Sequence, residues 1–129
     1  MKFRVCVPVI ETEPEAARQV LERLQPQGLL AELRLDYLRD PEVKPLLAGR
    51  RGPVIATNRP VAEGGRWSGP ETARQRLLLE ALAAGAEYVD VEWQADPGWR
   101  REMLAGRGSS RIILSWHDFN GTPAPLRLV

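Results

Sequence analysis

Two rhythms of apolar and polar positions alternate along this chain. Short runs rich in β-branched residues, at 3–9, 29–35, 54–57, 88–93 and 111–115, predict five strands. Between them, apolar positions three and four apart predict helices over 14–24, 41–48 and 97–104. In the first helix Ala16, Ala17, Val20, Leu21 and Leu24 form one stripe, and Thr12 and Glu15 have capping-box spacing. Ser68-Gly-Pro-Glu71 opens a longer helix reaching about residue 84, with Pro70 inside its first turn and Gly85 as its stop. Pro8 falls near the end of the first strand, where a missing donor is tolerated. A strand recurs at intervals of roughly 30 residues, the repeat of βα units in a parallel sheet. With no low-complexity segment, tandem motif or linker, residues 1–129 read as a single α/β domain.

Charged residues inside the predicted strands depart from that pattern. In Glu32-Leu-Arg34-Leu-Asp36, three charges share one face and two leucines the other, because strand side chains alternate. A solvated antiparallel strand gives the same alternation. In a parallel sheet covered by helices it is costly unless the charged face lines a polar cavity. Asp90 and Glu92 repeat the motif in the fourth strand, and Ser115 and His117 at the fifth. All of these lie toward the carboxyl ends of their strands, as do Arg59 and Glu63 after the third, the edge where α/β sheets and barrels carry active sites.

Composition narrows the chemistry. Lys+Arg total 18 against 17 Asp+Glu, so a net charge of +1 provides no field for nucleic acid or an anionic membrane. No apolar run approaches the ~18 residues of a membrane span. Met-Lys-Phe-Arg enters the first strand without a signal-peptide core, which predicts a cytoplasmic protein. One Cys and one His leave little to hold a metal, and Cys6, inside an apolar strand, reads as a buried small hydrophobe. Gly64-Gly65 lacks any phosphate-binding pattern and reads as a flexible loop. A solitary histidine is commonly structural. His117, after an apolar strand and between Trp116 and Asp118, is also placed for acid/base chemistry.

Cys6-Val-Pro-Val-Ile10, Glu32-Leu-Arg-Leu-Asp36, Arg59-Pro-Val-Ala-Glu-Gly-Gly65, Asp90-Val-Glu92 and Ser115-Trp-His-Asp-Phe119 resemble type I 3-dehydroquinate dehydratase in order and spacing. The resemblance extends to Thr122-Pro123. It implies a (β/α)₈ (TIM) barrel, present here as a partial barrel of about five strands. The implied reaction removes water from 3-dehydroquinate to give 3-dehydroshikimate, in the shikimate pathway, without metal or organic cofactor. In that family a lysine forms an imine with the substrate ketone, and a histidine moves the C2 proton and assists loss of the hydroxyl. His117 matches the catalytic histidine and Glu63 the glutamate that orients it. Glu32 and Arg34 match residues that hold the substrate's hydroxyl and carboxylate-bearing ring, and Arg59 a further substrate-binding arginine. Asp90 and Glu92 are expected to support these residues by hydrogen bonding.

The family's imine lysine lies on a sixth strand, and this chain has only Lys2 and Lys44. Lys2 is expected at the start of strand one and Lys44 near the helix behind strand two, both out of reach of the ketone. The expectation is therefore a chain truncated after the histidine strand, by a frameshift or a split gene. It is active only with a complementing C-terminal half; otherwise it is a non-catalytic binding domain. An open sheet of five strands, with Val5, Val7, Val54 and Ala56 or their alternates on its inner face, predicts a homodimer or cover by Leu126, Leu128 and Val129.

Overall fold

The computed structural model describes residues 4–122; Lys2, Phe3 and the tail with Leu126, Leu128 and Val129 lie outside the described residues. Five strands, β1 (Cys6–Val9), β2 (Leu30–Arg34), β3 (Val54–Thr57), β4 (Tyr88–Glu92) and β5 (Arg111–Ser115), alternate with four helices. These are α1 (Pro14–Leu24), α2 (Val43–Leu47), α3 (Glu71–Ala83) and α4 (Pro97–Ala105). The strands are all parallel and lie in the order β1-β2-β3-β4-β5, so the fold is the expected run of βα units. The sheet is not closed: β1 and β5 are its edges among the described residues.

Register explains why the strand sequences alternate as they do. Val9, Leu33, Ala56, Val89 and Ile112 pair across all five strands in one row. The first four are at most 2% exposed and belong to the core with the helices. Each helix supplies a matching stripe: Ala17 and Leu21 from α1, Leu77, Leu78, Ala81 and Leu82 from α3, and Trp99 and Met103 from α4. Burying one such aliphatic side chain is worth about 1.5–3 kcal/mol. Pro8, Glu32, Ile55, Tyr88 and Arg111 form the interleaved row on the other face.

One open choice is resolved and three local expectations are corrected. Val54 and Ala56 face the helices and are fully buried, Val5 is 64% exposed, and the inner face carries their alternates Cys6 and Ile55. Cys6 is accordingly exposed, on an edge strand and the face that no helix covers, and burial with the Glu32 charge pushes its thiol up only from partial shielding. Thr12 does not cap α1. Glu13 holds the N-cap position without a side-chain bond, Pro14 starts the helix, and Glu15 turns to Arg18 at 2.7 Å. Pro70 precedes the first turn of α3 in extended geometry, its carbonyl accepting from Ala73 and Arg74 at 3.1 Å each.

The far end of α3 stops as expected. Gly85 takes a positive φ of 76° while its N–H donates to Leu82 and that of Ala86 to Ala81, the paired bonds of a glycine-terminated helix. Asp96 caps α4 through Trp99 N at 2.9 Å. No helix among the described residues is long and apolar enough to cross a membrane.

Candidate active site

The polar groups gather at the carboxyl edge of the sheet. Glu32 and Arg34 end β2, Arg59 lies two residues beyond β3, Glu63 sits in a 3₁₀ turn (Val61–Glu63), and His117 follows β5. Asp36 is not on the strand. The chain turns into a 3₁₀ segment (Leu35–Tyr37), yet the Asp36 side chain is completely buried beside Arg34.

The segment between Arg59 and Trp67 is a hydrogen-bonded turn rather than a flexible loop. Trp67 N donates to Arg59 O and Val61 N to Trp67 O, both at 3.1 Å, while Glu63 N and Gly65 N share Pro60 O at 3.0 Å. Gly64 has φ 80°, a conformation costly for other residues. Gly65 is required for space, because a Cβ there would lie 2.1 Å from Arg59 O. The glycine pair thus presses the backbone of Arg59 against the turn that presents Glu63.

His117 Nδ1 lies 2.9 Å from Glu63 Oε2. Glu63 is 5% exposed and His117 36% by side chain, so the carboxylate is the buried anchor and the imidazole the open partner. Phe119 stacks near the imidazole, with centroids 6.4 Å apart and planes 17° off parallel, and leans on Gly64. A carboxylate only accepts, so Nδ1–H donates to it and the neutral ring presents its Nε2 lone pair away from Glu63.

Arg59 is clamped from three sides. Its Nη1 donates to Glu92 Oε1 at 2.8 Å and Ser115 Oγ at 2.7 Å, and its Nη2 lies 2.9 Å from Asp90 Oδ1. Ser115 in turn donates to Asp90 at 2.6 Å, tying β4 to β5. The second oxygen of Glu92 accepts from Arg74 Nη1 at 2.7 Å. Burial pushes the Glu92 carboxyl above its usual range, against the lowering pull of Arg74 and Arg59. Burial also works against the charge on Arg74, but Glu71 and Glu92 hold that guanidinium above its ordinary value.

The β2 residues make separate pairs. Glu32 accepts from Thr57 Oγ1 at 2.9 Å. Arg34 forks onto Asp36 at 2.9 and 2.8 Å, which holds its guanidinium above the ordinary value, and Asp36 also accepts from Arg66 N at 3.0 Å. Tyr37 lies under both Arg34 and Arg66, 4.9 and 4.1 Å from its centroid. Glu63 and His117 are therefore in contact and Arg59 is fixed to β4 and β5, whereas Glu32 and Arg34 are held by their own partners. A cavity of ≈ 340 Å³ at this edge takes in Glu63, Glu71, Arg74 and Glu92, and none of the other four expected site residues. No group of three His, Cys, Asp or Glu among the described residues is arranged for a metal ion.

Arg74 is the residue that sequence reasoning missed. It is 2% exposed and stands three, four, seven and eight positions before Leu77, Leu78, Ala81 and Leu82. An arginine on the core stripe of a helix was the available signal.

The family model described as type I 3-dehydroquinase matches residues 5–128. The 3-dehydroquinate dehydratase of Methanothermobacter thermautotrophicus is 37% identical over 137 residues, covering 100% of this chain and 60% of that protein. The crystal structure of type I 3-dehydroquinate dehydratase from Clostridium difficile with covalently modified comenic acid superposes with a TM-score of 0.84 at 27% identity. It covers 93% of this chain and 53% of that one. The enzyme of Enterococcus faecalis gives 0.82 at 27%, with 93% and 55% covered. The chain thus spans little more than half the length of these relatives.

Proposed function

The chain belongs to the type I 3-dehydroquinase family, and from that premise we propose that it supplies the histidine-bearing part of a cytoplasmic 3-dehydroquinate dehydratase in the shikimate pathway. His117 takes the C2 proton through Nε2 and returns it to the departing hydroxyl as water leaves. Glu63 fixes the ring and stabilises the imidazolium formed in between. Arg59 presents its remaining N–H groups to the substrate, and Glu32 and Arg34 meet its hydroxyl and carboxylate-bearing ring. The single observation that carries this reading is the 2.9 Å contact of His117 Nδ1 with buried Glu63.

The ketone also needs an amine, whose imine makes the neighbouring C–H acidic. Lys44 stands exposed on α2, in the helix layer. The imine lysine is therefore supplied from outside these 129 residues, which by themselves bind without turning substrate over. The test incubates the chain with 3-dehydroquinate and borohydride, alone and with a complementing C-terminal half, followed by mass spectrometry. No adduct forms on the chain alone, and turnover appears on complementation. His117→Ala then lowers turnover by ~10²–10⁴-fold, and Trp116→Ala far less. Equal turnover with His117→Ala would remove the proton-transfer assignment, and an adduct on Lys44 would show that the amine lies within these residues.

A further inference from the structure

We infer that Arg74 is a positioning residue: from the helix layer it holds Glu92 as an anion, and through Glu92 it fixes the Arg59 guanidinium across the ends of β3, β4 and β5. Arg74 commits almost its whole donor set to this place. Nε and Nη2 fork onto Glu71 at 2.8 and 2.7 Å, and Nη1 bonds Asn58 O at 2.8 Å and Glu92 Oε2 at 2.7 Å. Trp99 of α4 lies along its guanidinium, 5.7 Å from centroid to Cζ. Glu92 divides its two oxygens between Arg74 and Arg59, and both side chains of the Arg74–Glu92 pair are 2% exposed.

The charged groups around Glu92 decide its state. Arg59 reaches it from the loop after β3 and Arg74 from α3. Asp90 on its own strand touches Arg59, Glu71 touches Arg74, and Glu63 and Asp96 line the adjoining cavity. The two guanidiniums that grip Glu92, against four neighbouring carboxylates, are what favours its ionised form. An uncompensated buried carboxylate takes up a proton instead. Protonated Glu92 cannot hold Arg59 by charge, and Arg59 is left to Asp90 and Ser115. That Arg59 then meets substrate rests on the function proposed above; the clamp itself does not.

The test is made on the full chain without substrate, labelled for carboxyl ¹³C of glutamate and guanidinium ¹⁵N of arginine. With Arg74→Met the Glu92 titration midpoint rises by about one pH unit or more, and the Arg59 Nη signals are lost to solvent exchange. Arg74→Lys, which keeps a cation, recovers at least half of the midpoint shift. Glu92→Gln abolishes the Arg59 signals with Arg74 in place. An unchanged Glu92 midpoint in folded Arg74→Met, or no recovery with Lys, overturns the inference. Where Arg74→Met fails to fold, protected Arg59 signals in Glu92→Gln overturn it. Unchanged 3-dehydroquinate binding, measured separately in variants that show these shifts, would refute the functional reading alone.

Discussion

Replacing each glycine of the Gly64-Gly65 pair by alanine separates two physical reasons for glycine. At position 64 the cost is conformational: φ is 80°, and an L-residue in the left-handed region loses about 1–2 kcal/mol. Its Cβ would meet Phe119 Cζ at 2.5 Å, but that ring is 74% exposed and swings aside cheaply. At position 65 the backbone is unstrained, but the new Cβ would stand 2.1 Å from Arg59 O and 2.4 Å from Arg59 C. Nothing flexible can yield there. Separation disrupts the Gly65–Pro60 and Trp67–Arg59 hydrogen bonds, each worth about 1 kcal/mol. Overpacking adds about 1–3 kcal/mol. Gly65→Ala should therefore lose roughly 3–5 kcal/mol and Gly64→Ala about 1–2 kcal/mol. Urea unfolding followed by tryptophan fluorescence reads the difference, since slopes of about 1–3 kcal/mol per molar place the Gly65→Ala midpoint clearly lower. If Gly65→Ala costs no more than Gly64→Ala, the close approach to Arg59 is not what demands glycine.

Leu33→Ala, in the fully buried middle of the helix-facing row, should cost about 2–5 kcal/mol in the same unfolding assay; a loss below 1 kcal/mol would mean the row is not packed as described. Glu71 is held below the usual carboxylate range by its hydrogen bond from Arg74. Its contribution is therefore present above pH 4.5 and disappears as pH falls through its lowered folded value. Glu71→Gln should reduce the urea midpoint near pH 7 and reduce it progressively less as pH falls below 4.5, and equal losses throughout would contradict the pairing. Among the described residues β1 and β5 are unpaired edges, so the 129-residue chain expressed by itself should associate as a dimer, and light scattering that shows a monodisperse monomer at tens of micromolar would rule this out.

The strands and helices were legible because their signals are local. Val9, Leu33, Ala56 and Val89 announce a buried row by alternation, and Gly85 announces the end of α3 by its conformational freedom. The edge carrying Glu32, Arg34, Arg59, Glu63 and His117 was legible because charges in strands must face something other than a core. What was not legible depends on which face the helices cover and on contacts between distant segments. Cys6 looks like a core residue until the register places it on the uncovered face. Arg74 falls on the core stripe of α3, but its partner Glu92 lies on another element and only the fold brings the two together. Arg34 reads as a free substrate ligand, and only the turn after β2 brings Asp36 back against it.

Among the described residues, each strand pairs with the one that follows it in the chain. Chain closure on folding is then incurred in similar steps, one βα unit at a time, which favours sequential growth along the chain. On a ribosome β1, α1 and β2 can dock before β3 has emerged, and each new helix finds its half of the core already laid down. The Glu71–Arg74–Glu92–Arg59 chain draws on no residue beyond β4 and can form before β5 has emerged. Ser115 and His117 arrive last, onto an arginine and a glutamate already held in position. Synthesis therefore delivers His117 to a prepared seat, and a nascent chain arrested before β5 carries the Arg74–Glu92–Arg59 pairs without the imidazole.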